Sequence, residues 1–344
     1  MNDRGTLARQ AALLVVIFVA TLGLLAGAAA LLGRSSARGS AAGSPVAGGV
    51  PGTLAPAPTT TGSVGARSSA AAGASSEVPT IVITGAGDIA QCGSDGARQT
   101  SDLLLRQQGS FFTVGDNAYE DGNARNYAEC YAPTWGRVLD RTILPAAGNH
   151  DWQTKGAAGY LAYFGTKAAP QGVTWYSTDL GGWHVVVLDS DCDQVGGCDA
   201  ASPQGKWLAA DLSRSTASCT LAIWHHPRFS SGEHGDDAAV GPFWDLLHEH
   251  HAELVVNGHD HDYERFAPQD ASGREDRPGG IREIVAGTGG AELRSFHRQA
   301  PNSEFRVAGE WGVLRLTLHP AKYDWEFLPV AGRQFTDGGS APCR

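Results

Sequence analysis

Short apolar runs, each closed by a glycine or a small polar cluster, recur from residue 80 onward. Those at 80–84, 111–114, 142–145, 173–177, 184–188, 220–224 and 254–256 are rich in β-branched and aromatic side chains. At that length and composition they predict buried strands. Longer mixed stretches between them predict helices: one around Leu103 running to about residue 108, then 124–140, 203–213 and 241–251. Strand patterns near 282–286, 312–318 and 324–328 close the chain, and no internal repeat is visible. The alternation of strand, polar tip, helix and strand predicts an α/β fold, the class in which ligands gather at the C-terminal strand tips.

Five of those tips carry residues that bind metals. Asp88 follows the first run; Asp116 and Tyr119 follow the second; Asn149 and His150 follow the third. His225 follows 220–224, and His259 with His261 follow 254–256. Alternate residues of an extended segment point the same way, so His259 and His261 can face one site. Singly, each has an ordinary explanation, since Gly-Asp after a strand is often a turn or a cap. Jointly they form a coherent donor set. Hard cations take carboxylate and phenolate oxygens, borderline divalent ions accept imidazole, and one aspartate can bridge two metals.

The N-terminal part has a different character. Residues 11–33 are uncharged and mostly apolar, between Arg4 and Arg9 on one side and Arg34 and Arg38 on the other. This run is long enough to span a bilayer and predicts a signal anchor; the small residues from Ala26 to Ala30 leave a cleaved signal peptide as the alternative. Residues 34–77 are mainly Ala, Gly, Ser, Thr and Pro without an aromatic side chain. They predict a disordered linker, because so little apolar surface cannot offset the ordering entropy. The globular domain is expected at 78–344, and it holds all six cysteines. Their even number and the N-terminal segment predict export and disulfides, with Cys192–Cys198 the one short loop, buried free thiols being the other possibility. The chain carries a net charge of −10, and since residues 1–77 hold five arginines against Asp3 and Glu77, the remainder is more acidic still, at −13. An acidic domain of this kind is a poor nucleic-acid binder. Membrane contact is expected through the N-terminal segment only.

The ordered tips, and the run from Gly258 to Arg265, resemble the calcineurin-like metallophosphoesterases, and within them the purple acid phosphatases. The resemblance covers essentially all of 80–330. It implies a metallophosphoesterase-type β-sandwich flanked by helices and a pair of metal ions, Fe(III) with a divalent Fe, Zn or Mn. It places Asp88, Asp116, Tyr119 and His261 on the ferric ion. Asp116 as bridge, Asn149, His225 and His259 hold the second. Most of the superfamily has Asp-x-His at the first tip, whereas this chain reads Asp88-Ile89-Ala90; Tyr119 stands where it can fill the vacancy, which selects the purple branch. His150 matches the histidine that contacts substrate phosphate or protonates the leaving group. His234, nine residues after His225, matches a further phosphate-binding histidine, in a loop of small residues that reads as mobile. Strand alternation would turn His226 away from His225, giving it a structural role.

The implied function is an extracytoplasmic phosphatase, surface-anchored or secreted, hydrolysing phosphomonoesters by attack of metal-bound hydroxide. A phosphodiesterase of the same fold and a non-catalytic surface binding module are the rival readings.

Overall fold

The computed structural model describes residues 78–330 and 335–344. The expected signal segment and linker lie outside the described residues. Two sheets form the frame. The first runs in the order β13-β12-β11-β1-β2-β3, from β1 (Ile81–Ala86), β2 (Ser110–Thr113), β3 (Thr142–Leu144), β11 (Gly312–His319), β12 (Lys322–Pro329) and β13 (Gly338–Pro342). The second runs β10-β8-β9-β7-β6-β5-β4, from β4 (Tyr176–Leu180), β5 (Trp183–Val187), β6 (Cys219–Ile223), β7 (Leu254–Asn257), β8 (Tyr263–Phe266), β9 (Arg282–Ala286) and β10 (Ser303–Val307).

Burial follows the pairing. In the second sheet β5, β6, β7 and β9 are parallel neighbours and every residue in them is buried, as expected of strands covered on both faces. The antiparallel β12 alternates instead, with Tyr323, Trp325 and Phe327 inward and Asp324 and Glu326 less buried. Ile83, Phe112, Leu314 and Phe327 of one sheet meet Val185, Ile223, Val256 and Ile284 of the other in a shared core. Fully burying a side chain of this kind contributes about 1.5–3 kcal/mol. The outer face of the first sheet is covered by the helices Gly96–Leu104 and Ala158–Phe164, that of the second by Pro203–Arg214 and Gly241–Glu249. This is the expected α/β sandwich flanked by helices.

Several local expectations shift. The single helix expected over 124–140 is three short pieces, Ala124–Asn126, Tyr127–Tyr131 and Trp135–Arg141. Pro133 supplies no N–H to a continuing ladder, and the chain passes it by a wide turn in which the Ala132 N–H donates to the Tyr127 carbonyl. The helix around Leu103 begins earlier, at Gly96, and ends at Leu104. Strands β8, β10 and β13 were not expected: they are short, and their pairing partners lie at a distance in sequence. All six cysteines pair, as Cys92–Cys130, Cys192–Cys198 and Cys219–Cys343. Among the described residues no helix is long and apolar enough to cross a membrane.

Candidate metal centre

Strands β1, β2, β3, β6 and β7 release the chain at one edge of the sandwich, and the five candidate tips converge there. Asp88, Asp116 and His259 take left-handed backbone conformations, with φ of 57°, 48° and 71°, uncommon for side-chain-bearing residues and concentrated at functional sites. The approach is close enough to require glycine beside the ligands. A Cβ on Gly148 would stand 2.4 Å from Asp116 Oδ1, and one on Gly258 2.6 Å from Asp88 Oδ2.

The two aspartates and the His261 imidazole enclose the tyrosine hydroxyl. Tyr119 Oη lies 2.9 Å from Asp88 Oδ1, 3.1 Å from Asp116 Oδ2 and 3.1 Å from His261 Nε2. His261 Nε2 is 3.3 Å from Asp88 Oδ1. On the other side of Asp116, His225 Nε2 lies 3.3 Å from Oδ2 and 3.1 Å from Asn149 Oδ1. One ligand atom each from Asp88, Asp116 and His225 fall within 4.8 Å of one another. His259 is linked to the group through its backbone N–H, which donates to Asp88 Oδ2 at 2.8 Å, and through its ring, 5.0 Å from that of His225. Asp116 thus stands between the Asp88–Tyr119–His261 group and the Asn149–His225 pair.

The donor set fits a cation. His225 directs Nδ1 to the Val114 carbonyl at 2.8 Å and His261 directs Nδ1 to the Glu292 carbonyl, which leaves both Nε2 atoms facing the carboxylates, the usual arrangement of metal-binding imidazoles. Asp88 and Asp116 are buried, and no lysine or arginine among the described residues bonds either. Burial opposes ionisation of Asp116, but His225 outweighs it and holds the carboxyl well below its ordinary value. The same pair works in reverse on His225: burial lowers its pKa, and Asp116 then raises it above the ordinary imidazole value. A proton on His225 therefore stands in for positive charge that a metal would supply, and metal binding would release it. Burial, then Asp116 and Asp88, push the Tyr119 phenol well above 10, so ionising it here takes a strongly polarising cation.

His150 and His234 border the group without joining it. His150 Nε2 is 3.9 Å from Asp116 Oδ2, its ring lies 4.3 Å from that of Tyr119, and its Nδ1 faces the Glu120 carbonyl. The His234 ring lies 4.1 Å from that of His259, tilted against it. Its loop departs from the mobile one expected: Ser230 and Ser231 are fully buried, Ser230 Oγ donates to Asp260, and Glu264 receives the Ser231 N–H at 2.7 Å. His226 departs too. Its ring lies 4.3 Å from that of His259, because β6 ends at Ile223 and strand alternation no longer governs residue 226. Burial and then His225 push His226 down to about 3.

Sequence reasoning missed the groups that hold these side chains. Asp151 accepts the Gly148 N–H, the Asn117 backbone N–H and one from the Asn117 side-chain amide, Asp260 accepts from His234, and Arg294 reaches His234 from the opposite side. No spacing rule points to any of them; for Asp260 the only signal was its place between His259 and His261.

A family model described as calcineurin-like phosphoesterase matches residues 80–263, more than half of the chain. The chain belongs to the calcineurin-like phosphoesterase family. Within it the chain sides with the purple acid phosphatase-like branch. Purple acid phosphatase 21 of Arabidopsis thaliana is 27% identical over 269 residues, which are 70% of this chain and 58% of that protein. The chain thus spans little more than half of that relative. A purple acid phosphatase from yellow lupin seeds superposes with a TM-score of 0.60 at 18% identity, over 76% of this chain and 53% of the other. GAP50, the anchor in the inner membrane complex of Plasmodium, gives 0.56 at 14% identity over 77% and 89%. At such identities these two structures speak for the calcineurin-like fold alone. The branch agrees with one local detail: Ala90, where most of the superfamily has histidine, is buried, and its carbonyl accepts the Tyr119 N–H at 3.0 Å.

Proposed function

We propose that this chain is an exported or membrane-anchored phosphatase that hydrolyses phosphomonoesters at a binuclear metal centre. The observation that carries the reading is the convergence of Asp88, Asp116 and His225 on one buried point, with a tyrosine hydroxyl shared by the two carboxylates. Asp88, Asp116, Tyr119 and His261 would hold Fe(III), and Asp116, Asn149, His225 and His259 a divalent ion. When bound, the pair supplies Lewis acidity toward the phosphoryl oxygens and lowers the pKa of a water.

The chain's own residues do the rest. The Val114 and Glu292 carbonyls fix the ring orientation of His225 and His261. His150 Nδ1 donates to the Glu120 carbonyl, so Nε2 is the atom turned toward the centre. In its protonated form His150 can give the Nε2 proton to the departing alkoxide. Its side chain is 23% exposed, within reach of an ester entering from solvent. His234 lies on the flank formed by His259, beside the space an ester phosphate would enter.

The test is metal analysis of purified protein together with kcat/KM on p-nitrophenyl phosphate and bis-p-nitrophenyl phosphate. Two metals per chain and a clear preference for the monoester are expected. Preference for the diester would assign the chain to phosphodiesterases, and full metal content without turnover of either would make it a binding module.

A further inference from the structure

Arg294 is the one arginine or lysine among the described residues that bonds a candidate site side chain. It lies in an irregular segment after β9 and is anchored at its root, where its backbone N–H donates to the His261 carbonyl at 3.1 Å. Its guanidinium Nη1 lies 3.0 Å from His234 Nε2 and 3.4 Å from Glu233 Oε2. The side chain keeps 35% of its surface exposed, and it has no other partner among the described residues. The guanidinium cannot accept a hydrogen bond, so His234 Nε2 must accept the one from Arg294. His234 then carries its proton on Nδ1 and donates it to Asp260 Oδ1 at 3.1 Å, while its backbone N–H donates to the same oxygen at 2.9 Å. Asp260 is itself buried and held by Ser230. The result is a directed chain, Asp260 to His234 to Arg294, that brings a permanent cation to the mouth of the centre on the side of His259 and His261.

We propose that Arg294 binds the phosphate of the substrate: on ester binding its guanidinium leaves His234 and Glu233 and takes two non-bridging phosphoryl oxygens. Three features support the exchange. The guanidinium fork matches phosphate geometry in a way that an ammonium does not. The pair with Glu233 is partly exposed on both sides, and solvent-screened pairs of this kind contribute little, so it is easily given up. The acceptor on His234 is a neutral nitrogen, which competes poorly with a dianion. His234, in this arrangement, is chiefly the rest that holds Arg294 over the site, with Asp260 as its positioning residue. The inference rests on the phosphatase reading and adds a residue that the ordered strand tips do not contain.

Inorganic phosphate is the probe, titrated calorimetrically into the full-length, metal-loaded protein, with KM and kcat on p-nitrophenyl phosphate measured in parallel. Arg294→Ala should keep both metals and weaken phosphate binding about 10- to 100-fold, the range for a lost charge-assisted bond, with KM rising in step. Arg294→Lys should fall between, since it keeps the charge without the fork. Glu233→Gln removes a competitor for the guanidinium and should tighten phosphate binding about two- to fivefold, a direction that no purely structural role predicts. If the wild type binds phosphate and turns over ester while Arg294→Ala changes neither affinity nor KM by twofold, the assignment of Arg294 is wrong and the phosphatase reading stands. A wild type that neither binds phosphate nor hydrolyses the ester overturns both.

Discussion

Replacing Tyr119 with phenylalanine isolates one oxygen atom. The hydroxyl lies within 3.1 Å of Asp88, Asp116 and His261, in a residue only 4% exposed. The ring keeps its packing, including the contact with His150 at 4.3 Å. In metal-free protein the loss is one hydrogen bond to a charged acceptor. Such a bond is worth about 1.5–3 kcal/mol, and at about 2–4 °C per kcal/mol for a domain of this size Tm should fall by roughly 3–12 °C. The phenol is pushed well above 10 by burial and the two carboxylates, so metal-free protein should show no tyrosinate absorption at neutral pH. Ferric iron changes this, because a phenolate on Fe(III) gives a charge-transfer band in the visible. Wild-type protein loaded with iron should be coloured and Tyr119→Phe bleached, with iron content read by elemental analysis on the same samples. A wild type colourless at full ferric occupancy, or a variant with an unchanged band, would refute the placement of Tyr119 on the ferric ion.

Three other outcomes test separate parts of the structure. His150→Ala should leave both metals bound and lower kcat about 10²- to 10⁴-fold, the scale of a positioned general acid, whereas Asn149→Ala or His259→Ala should lower occupancy of the second metal; equal metal loss in all three would erase the distinction. Away from the centre, His184 bridges Asp179 and Asp211 at 2.9 Å each. Burial lowers its pKa, but the two carboxylates raise it above the ordinary 6.5, while burial and then His184 act on Asp211 to leave it below 3.8. The clamp therefore contributes fully between 3.8 and 6.5 and is lost as pH rises through the raised histidine value. Urea midpoints should decline over that upper range in wild type, and the decline should be shallower in His184→Gln; parallel profiles would count against the clamp. Fractionation should leave the full-length chain with membranes, its globular part open to external protease; a soluble form beginning near residues 28–40 would mark residues 11–33 as a cleaved signal.

The gathering of the candidate side chains was legible from the chain because each of them sits within a few residues of a strand end, and both signals, apolar run and polar tip, are local. Asp88, Asp116, Asn149, His225 and the His259–His261 pair needed only strand periodicity and order, and the absence of histidine at Ala90 could be set against Tyr119 by inspection. Interactions between distant residues were not legible in the same way. The wide turn at Ala132 depends on how the segment before Pro133 packs, with Tyr127 and Tyr131 buried, and β13 is a strand only because β12 pairs with it. His226 turns to His259 once its strand has ended, a matter of backbone path that alternation cannot foresee. The loop carrying His234 looked free because small polar residues usually are. It is held because buried Asp260 and Glu264 need donors, and Ser230, Ser231 and His234 supply them across 26 to 33 positions of sequence. Arg294 is 60 residues from His234. Local patterning determines which residues can reach a strand tip; which of them meet depends on desolvated groups finding partners, and only the folded chain decides that.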